Sequence, residues 1–210
     1  MNFNQLHNNR KNFIAENKLK DHVIINGENN ILISAPHGVS QVRLGKYKAA
    51  EIGSLALSLN LQKTTNSFLI AKTKNNNNDA NFDEISSYKD DIKKLIKKHN
   101  IKYFIDFHGL AEKRECDINL GTHLGKNIDS NNLAFNSLQK SLENNFTVSI
   151  DQPFMAGSRT LSGSLRNEFE NLWTIQIEVN CGITNKRKNF KKFKTLLEAL
   201  ESWIKLLNQF

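Results

Sequence analysis

The sequence holds only two cysteines, Cys116 and Cys181. Two thiols build no disulfide framework, and their use points to a reducing compartment. No apolar run is long enough to span a bilayer, so no membrane partner is expected. The opening residues, MNFNQLHNNRKNF, lack the apolar core of a signal peptide, and a cytoplasmic protein is expected. There is no glycine-rich loop of the P-loop or dinucleotide type. No catalytic Cys–His arrangement can be read from spacing, and both thiols read as small buried groups. Neither an internal repeat nor a linker divides the chain.

What is present is enough apolar residue, 39% of 210 positions, for one sizeable domain. Residues 1–20 are polar and asparagine-rich and read as a loose arm or short peripheral helix; residues 21–210 read as a single domain. The net charge is +8, from 29 basic and 21 acidic residues. That balance favours anionic partners, but the charge is spread over several helices, so a small anion is expected and nucleic acid is not. The sequence leaves the oligomeric state open.

Short β-rich runs alternate with helical periods. Strands are predicted at 22–25 and 31–35, joined as a hairpin through Asn26-Gly27-Glu28-Asn29-Asn30. Helices are predicted at about 46–59, 84–99, 131–143 and 189–208, and further strands at 68–71, 102–108, 117–121, 146–150 and 173–179. Residues 74–79 and 152–164 read as loops. Strands separated by single helices imply an α/β fold: one three-layer domain with a mixed, mostly parallel sheet and helices on both faces.

In such sheets sites form beyond the carboxyl ends of the strands. The strand before Pro36 runs out at His37. Asp106 and His108 share one face of the strand that ends at a presumed turn, Gly109. They read either as a satisfied core pair or as a metal-ligand histidine with its neighbour. Gln176, Glu178 and Asn180 share a face of the strand 173–179, which is either solvent-exposed or turned to a cavity. Two histidines and a carboxylate suit a divalent metal of the zinc type, with one position left for water. The candidates are His37, His108 and Glu51, the last being equally an ordinary first-turn helix acid. His123 sits in a loop that could line the same pocket, whereas His99 is explained by its helix end and His7 and His22 have no company.

The strings Ser34-Ala35-Pro36-His37-Gly38, Ile105-Asp106-Phe107-His108-Gly109, Ile118-Asn119-Leu120-Gly121-Thr122 with Gly125, Gln152-Pro153-Phe154-Met155-Ala156-Gly157, and Ile175-Gln176-Ile177-Glu178-Val179-Asn180 occur in this order. Together they resemble the N-formylglutamate amidohydrolase family, over roughly residues 31 to 182. The resemblance implies a zinc-dependent amidohydrolase with a fold akin to the zinc carboxypeptidases. It implies His37, His108 and Glu51 as ligands to one divalent metal, most simply Zn2+, and Glu178 as general base. Asp106 would orient His108. The family's Asp-x-Asn-Arg segment, whose arginine holds a substrate carboxylate, is matched at Asp79 and Asn81 but has Phe82 in place of the arginine. Arg159 is the first choice to supply that cation, with Arg43 and Arg166 as the others.

Two other readings follow from particular residues. The missing arginine fits a metal-binding relative with altered catalysis, or a peptidase-like hydrolase with another substrate. Lys186, Arg187, Lys188, Lys191, Lys192 and Lys194 crowd the start of the last helix, where the dipole disfavours them, as a nucleic-acid- or anion-binding protein would explain.

Overall fold

The computed structural model describes residues 2–128 and 133–209. Helix α1 (Phe3–Asn17) leads into β1 (His22–Ile25) and β2 (Ile31–Ala35). A small hairpin, β3 (Gln41–Arg43) and β4 (Lys46–Lys48), precedes α2 (Ile52–Thr65) and β5 (Phe68–Lys72). Then come α3 (Ser87–His99), β6 (Tyr103–Leu110), β7 (Ile118–Gly121), α4 (Leu133–Glu143), β8 (Val148–Ile150) and α5 (Leu161–Glu168). Strand β9 (Trp173–Asn180), the short α6 (Cys181–Thr184), a 3-10 turn (Arg187–Asn189) and α7 (Phe190–Leu207) complete the chain.

The main sheet has the order β1-β5-β2-β6-β9-β7-β8. Strands β5, β2, β6 and β9 run parallel, while β1 and β7 run antiparallel to their neighbours β5 and β9. This is the expected mixed, mostly parallel sheet. One face packs on α1, α2, α4 and α7 through residues such as Leu6, Leu57, Leu138 and Leu200. The other packs on α3 and α5 through Tyr88, Ile92 and Leu165. The alternation of β6 follows: Ile105 and Phe107 enter the first core and Phe104 the second. Asp106 and His108 therefore stand on the α3/α5 side.

Several local expectations are corrected. Strands β1 and β2 do not form a hairpin, because β5 lies between them. β2 is buried at every residue, as a strand flanked on both edges must be, whereas β1 is only partly buried at the sheet margin. The connecting loop docks on the start of β5. Glu28 N donates to Asn66 O at 2.9 Å, and a Cβ on Gly27 would lie 2.3 Å from the Ser67 carbonyl carbon. Residues 46–48 are not helical. They form β4, after a turn in which Leu44 and Gly45 have φ of 50° and 72°, and α2 starts only at Ile52. Part of the loop 152–164 is helix α5, capped by Thr160, whose side chain accepts from Gly163 N at 3.3 Å. Gly109 is no turn, since β6 runs to Leu110. The start of α3 is Ser87 rather than Glu84, and β8 begins at Val148 rather than Phe146. Asn131 and Asn132, expected to open a helix, lie outside the described residues.

The segment read as a polar arm contains α1. Its start is a capping box: Gln5 N donates to Asn2 Oδ1 at 2.9 Å, and Asn2 N donates to Gln5 Oε1 at 2.8 Å. Leu6 is fully buried in the main core. Both cysteines are free. Among the described residues no helix is long and apolar enough to cross a membrane.

The β1–β5 edge is pinned by charge. Lys72, only 2% exposed, pairs with Asp21, which also accepts from Ser87 Oγ at 2.7 Å. Asp21→Ala leaves that ammonium buried and uncompensated. The expected loss in urea unfolding is about 3–5 kcal/mol, largely recovered by adding Lys72→Met. A single-variant loss below about 1 kcal/mol would contradict the pair's structural role.

Candidate metal centre

His37 follows β2 on a tight turn and is 1% exposed. Glu51 is the N-cap of α2, not a first-turn residue, and its amide donates to His37 O at 2.9 Å. That bond ties the turn to the helix start across the hairpin between them. His108 projects from β6. The side chains converge: His37 Nδ1 lies 2.8 Å from Glu51 Oε1, His108 Nδ1 3.3 Å from Glu51 Oε2, and the two Nδ1 atoms 3.1 Å apart. Gly109 N donates to Glu51 Oε2 at 2.9 Å. A Cβ there would crowd the carboxylate's stem, at 3.1 Å from both Cβ and Cγ of Glu51.

The outer ring nitrogens are also engaged. His37 Nε2 donates to Asp79 Oδ1 at 2.9 Å, and His108 Nε2 donates to Asp106 Oδ2 at 3.0 Å. Ionised carboxylates only accept, so each Nε2 carries a hydrogen and each Nδ1 turns a lone pair inward. Two lone pairs and a carboxylate meeting in a buried space repel unless a cation lies among them. In a metal-free chain that cation is a proton. Burial opposes charge on His37, but Glu51 and Asp79 outweigh it and raise its pKa. Burial likewise opposes charge on His108, and Asp106 with Glu51 raises it well above the usual value. Glu51 and Asp79 fall far below the usual carboxylate range despite their burial, because the imidazoles face them.

His37, Glu51 and His108 offer donor atoms all within 4.8 Å of one another. Two imidazoles and a carboxylate, with each imidazole backed by an aspartate, are the donor chemistry of a zinc-type site with an open position. The residues fit a divalent ion of that kind.

A cavity of about 470 Å³ opens over these three side chains. Glu178 lines it from β9, directly opposite His108 in the β6–β9 register. Burial first, then the charge of Glu51, pushes its carboxyl up to about 7 against the opposing pull of His108 and His37. Gln176 Nε2 donates to Glu178 Oε1 at 2.8 Å. The face of β9 read as either exposed or cavity-facing is thus buried, with Gln176 and Glu178 turned to this cavity.

The remaining candidates separate. Asn81 lines the cavity and accepts from Leu161 N at 2.8 Å, holding the start of α5. Arg43 lines it too, donates from Nε to Asp79 Oδ2 at 2.6 Å and lies 5.1 Å from the centre of the Phe82 ring. Arg159 and Arg166 do not line it: Arg159 borders a separate cavity, and Arg166 Nη1 donates to Phe169 O at 3.4 Å. Asn180 does not line it either. It caps α6, accepting from Gly182 N at 2.8 Å and donating to Cys116 O at 3.2 Å. His123 is likewise not part of the cavity wall. Three contributors escaped the sequence reading: Asp79 as the partner of His37, and the cations Arg114 and Lys48 on the cavity wall.

Neither a family model nor a curated protein matches the sequence. Solved structures do match the fold. The gene product Atu2144 from Agrobacterium tumefaciens aligns with a TM-score of 0.63 at 14% identity, over 92% of this chain and 98% of that one. A metallo-carboxypeptidase from Pseudomonas aeruginosa aligns with a TM-score of 0.53 at 12% identity, over 93% and 68%. The chain has a metallo-carboxypeptidase-like fold. A bacteriophage poly-gamma-glutamate hydrolase also aligns, with a TM-score of 0.51 at 14% identity, over 87% of each chain.

The basic cluster before and within α7 has local partners. Lys186 pairs with Glu112, Lys192 with Asp117 at 2.6 Å and Lys194 with Glu198 at 3.6 Å. Those contacts give local partners to three of the six basic residues there.

Proposed function

We propose that this chain is a metal-dependent amidohydrolase. It cleaves the formyl or acyl amide of a small carboxylate-bearing substrate, as N-formylglutamate amidohydrolases do. The observation that carries the reading is the inward-facing donor set of His37, His108 and Glu51, with Asp79 and Asp106 holding the outer nitrogens. Structural neighbours named as a hydrolase and a metallo-carboxypeptidase support it.

A bound divalent ion of the zinc type supplies Lewis acidity toward water and the scissile carbonyl. The rest of the work falls to the chain. Glu178, raised toward neutrality, accepts a proton from the attacking water and passes it to the leaving nitrogen. Gln176 fixes one oxygen of that carboxylate and leaves the other for the transfer. Asp106 and Asp79 keep the imidazole rings in the tautomer that turns Nδ1 inward. Arg43, above Phe82, takes over the task of the arginine missing at position 82, and Arg114 lies on the same wall to pair with a substrate carboxylate.

The test is an assay of N-formyl- and N-acyl-amino acids, with glutamate and glutamine side chains compared, before and after chelation. The expected result is hydrolysis of the carboxylate-bearing member, lost with chelator and restored by zinc. A zinc-loaded chain inert toward formyl, acyl and short acidic peptide substrates would reduce the protein to a metal-binding relative.

A further inference from the structure

The segment 157–160 has a second cavity behind it. Gly157 and Thr160 line the metal-centre cavity, whereas Ser158 and Arg159 line the other, of about 810 Å³. This second cavity lies at the N-terminal end of α3, and Lys89 forms part of its wall. Lys89 is only 7% exposed. Its ammonium makes no ion pair or hydrogen bond with any described residue; Asp83, Asp79 and Glu84 act on it only at longer range. Burial lowers its pKa.

Two further facts raise the cost of this lysine. It stands in the first turn of α3, where the helix dipole repels a cation. The N-cap Ser86 gives α3 no side-chain cap, and its Oγ is buried without a partner among the described residues. The acids of the cavity wall do not pair with Lys89: Asp83 Oδ2 accepts from Asp79 N at 2.8 Å, Glu168 pairs with Lys93 at 2.6 Å, and Glu84 is exposed. Arg159, exposed at the cavity, also has no ionic partner among the described residues. Two cations without an ionic partner, Lys89 and Arg159, at a cavity on the positive end of a helix repel each other and that dipole. An oxyanion in the cavity offsets that cost.

We propose that this cavity is an anion subsite beside the metal centre, in which Lys89, Arg159 and the first turn of α3 hold a carboxylate or phosphate group. The group is either a distal carboxylate of the substrate, a source that rests on the hydrolytic reading, or a separate anion. Binding itself depends on neither.

The test titrates the full chain with inorganic phosphate and with glutarate by calorimetry, comparing wild type, Lys89→Met and Arg159→Met. Saturable binding weakened about tenfold or more in Lys89→Met is expected. In anion-free buffer Lys89→Met should also raise Tm by about 1–3 °C, because it removes an unpaired cation from the first turn of α3. A merely structural lysine would lower Tm instead. Absence of binding to wild type, or binding untouched by both variants, overturns the proposal, whether or not the chain hydrolyses anything. In an active chain, competition of phosphate with substrate and a raised KM at unchanged kcat in Lys89→Met assign the site to the substrate's own carboxylate. An effect of phosphate on kcat without competition assigns it to a separate anion.

Discussion

Purified chain supplied with zinc is expected to hold a single ion, and His108→Ala to lose it. Removing one imidazole leaves two protein donors where a zinc site of this kind uses three. Asp106→Asn is milder: it keeps the ligand but weakens the acceptor that orients it, with an expected loss in affinity of about 10–100-fold. The pH dependence has a definite sign. In chelated protein the carboxylates raise both His37 and His108 above the ordinary value of 6.5. A raised folded-state pKa contributes stability that is full below 6.5 and is lost as pH rises through the raised values. Chelated protein should therefore weaken as pH rises from 6, while zinc should stabilise more over the same span, because protons no longer compete for Nδ1. Thermal melts at several pH values, with chelator and with zinc, measure both trends. Equal zinc content in wild type and His108→Ala, or none in wild type, would sink the site.

Glu178→Gln should separate metal from chemistry. Glu178 is not among the converging donors, so zinc content should stay at the wild-type level. Hydrolysis should fall by about 10²–10⁴-fold, the usual worth of a positioned general base. The base works deprotonated, and its carboxyl is pushed up to about 7 by burial. Wild-type rate should thus be full above that value and decline as pH falls through it. A bound cation draws the midpoint to 7 or lower. The residual rate of Glu178→Gln should lack this acid limb. A variant with full zinc and undiminished rate would assign the proton transfer elsewhere.

The parts of the site legible in the sequence lie on regular structure. His108 and Glu178 stand on strands whose alternation separates polar from apolar faces, and His37 ends an apolar run. Asp79 was legible only as part of a short string, because its pairing with His37 comes from an asparagine-rich loop with no periodicity. Arg114 was missed because it too lies in a connecting segment, and Lys48 because its strand reads as the start of a helix. Residues 46–48 looked helical because they adjoin a true helix; Gly45, with positive φ, was the available sign of a turn. Helix α5 was hidden by Gly163 within it and Gly157 before it. Gly163 sits so close to the Gly157 carbonyl that a Cβ would lie 2.3 Å from its oxygen, a packing demand that reads locally as a loop. The order of the outer strands was likewise unreadable, since the insertion of β5 between β1 and β2 rests on contacts distant in sequence.

The β6–β9 register has a consequence for how such a site can diversify. His108 and Glu178 face each other across one rung of a parallel ladder that runs on to Leu110 and Asn180. Their separation is therefore a repeat distance of the sheet, maintained by backbone amides that should exchange among the slowest in the molecule. The walls around them come from connecting segments, with Arg114 after β6 and Phe154 after β8. Replacing those walls retunes what enters the cavity, while the span between ligand and base stays locked in the weave beneath.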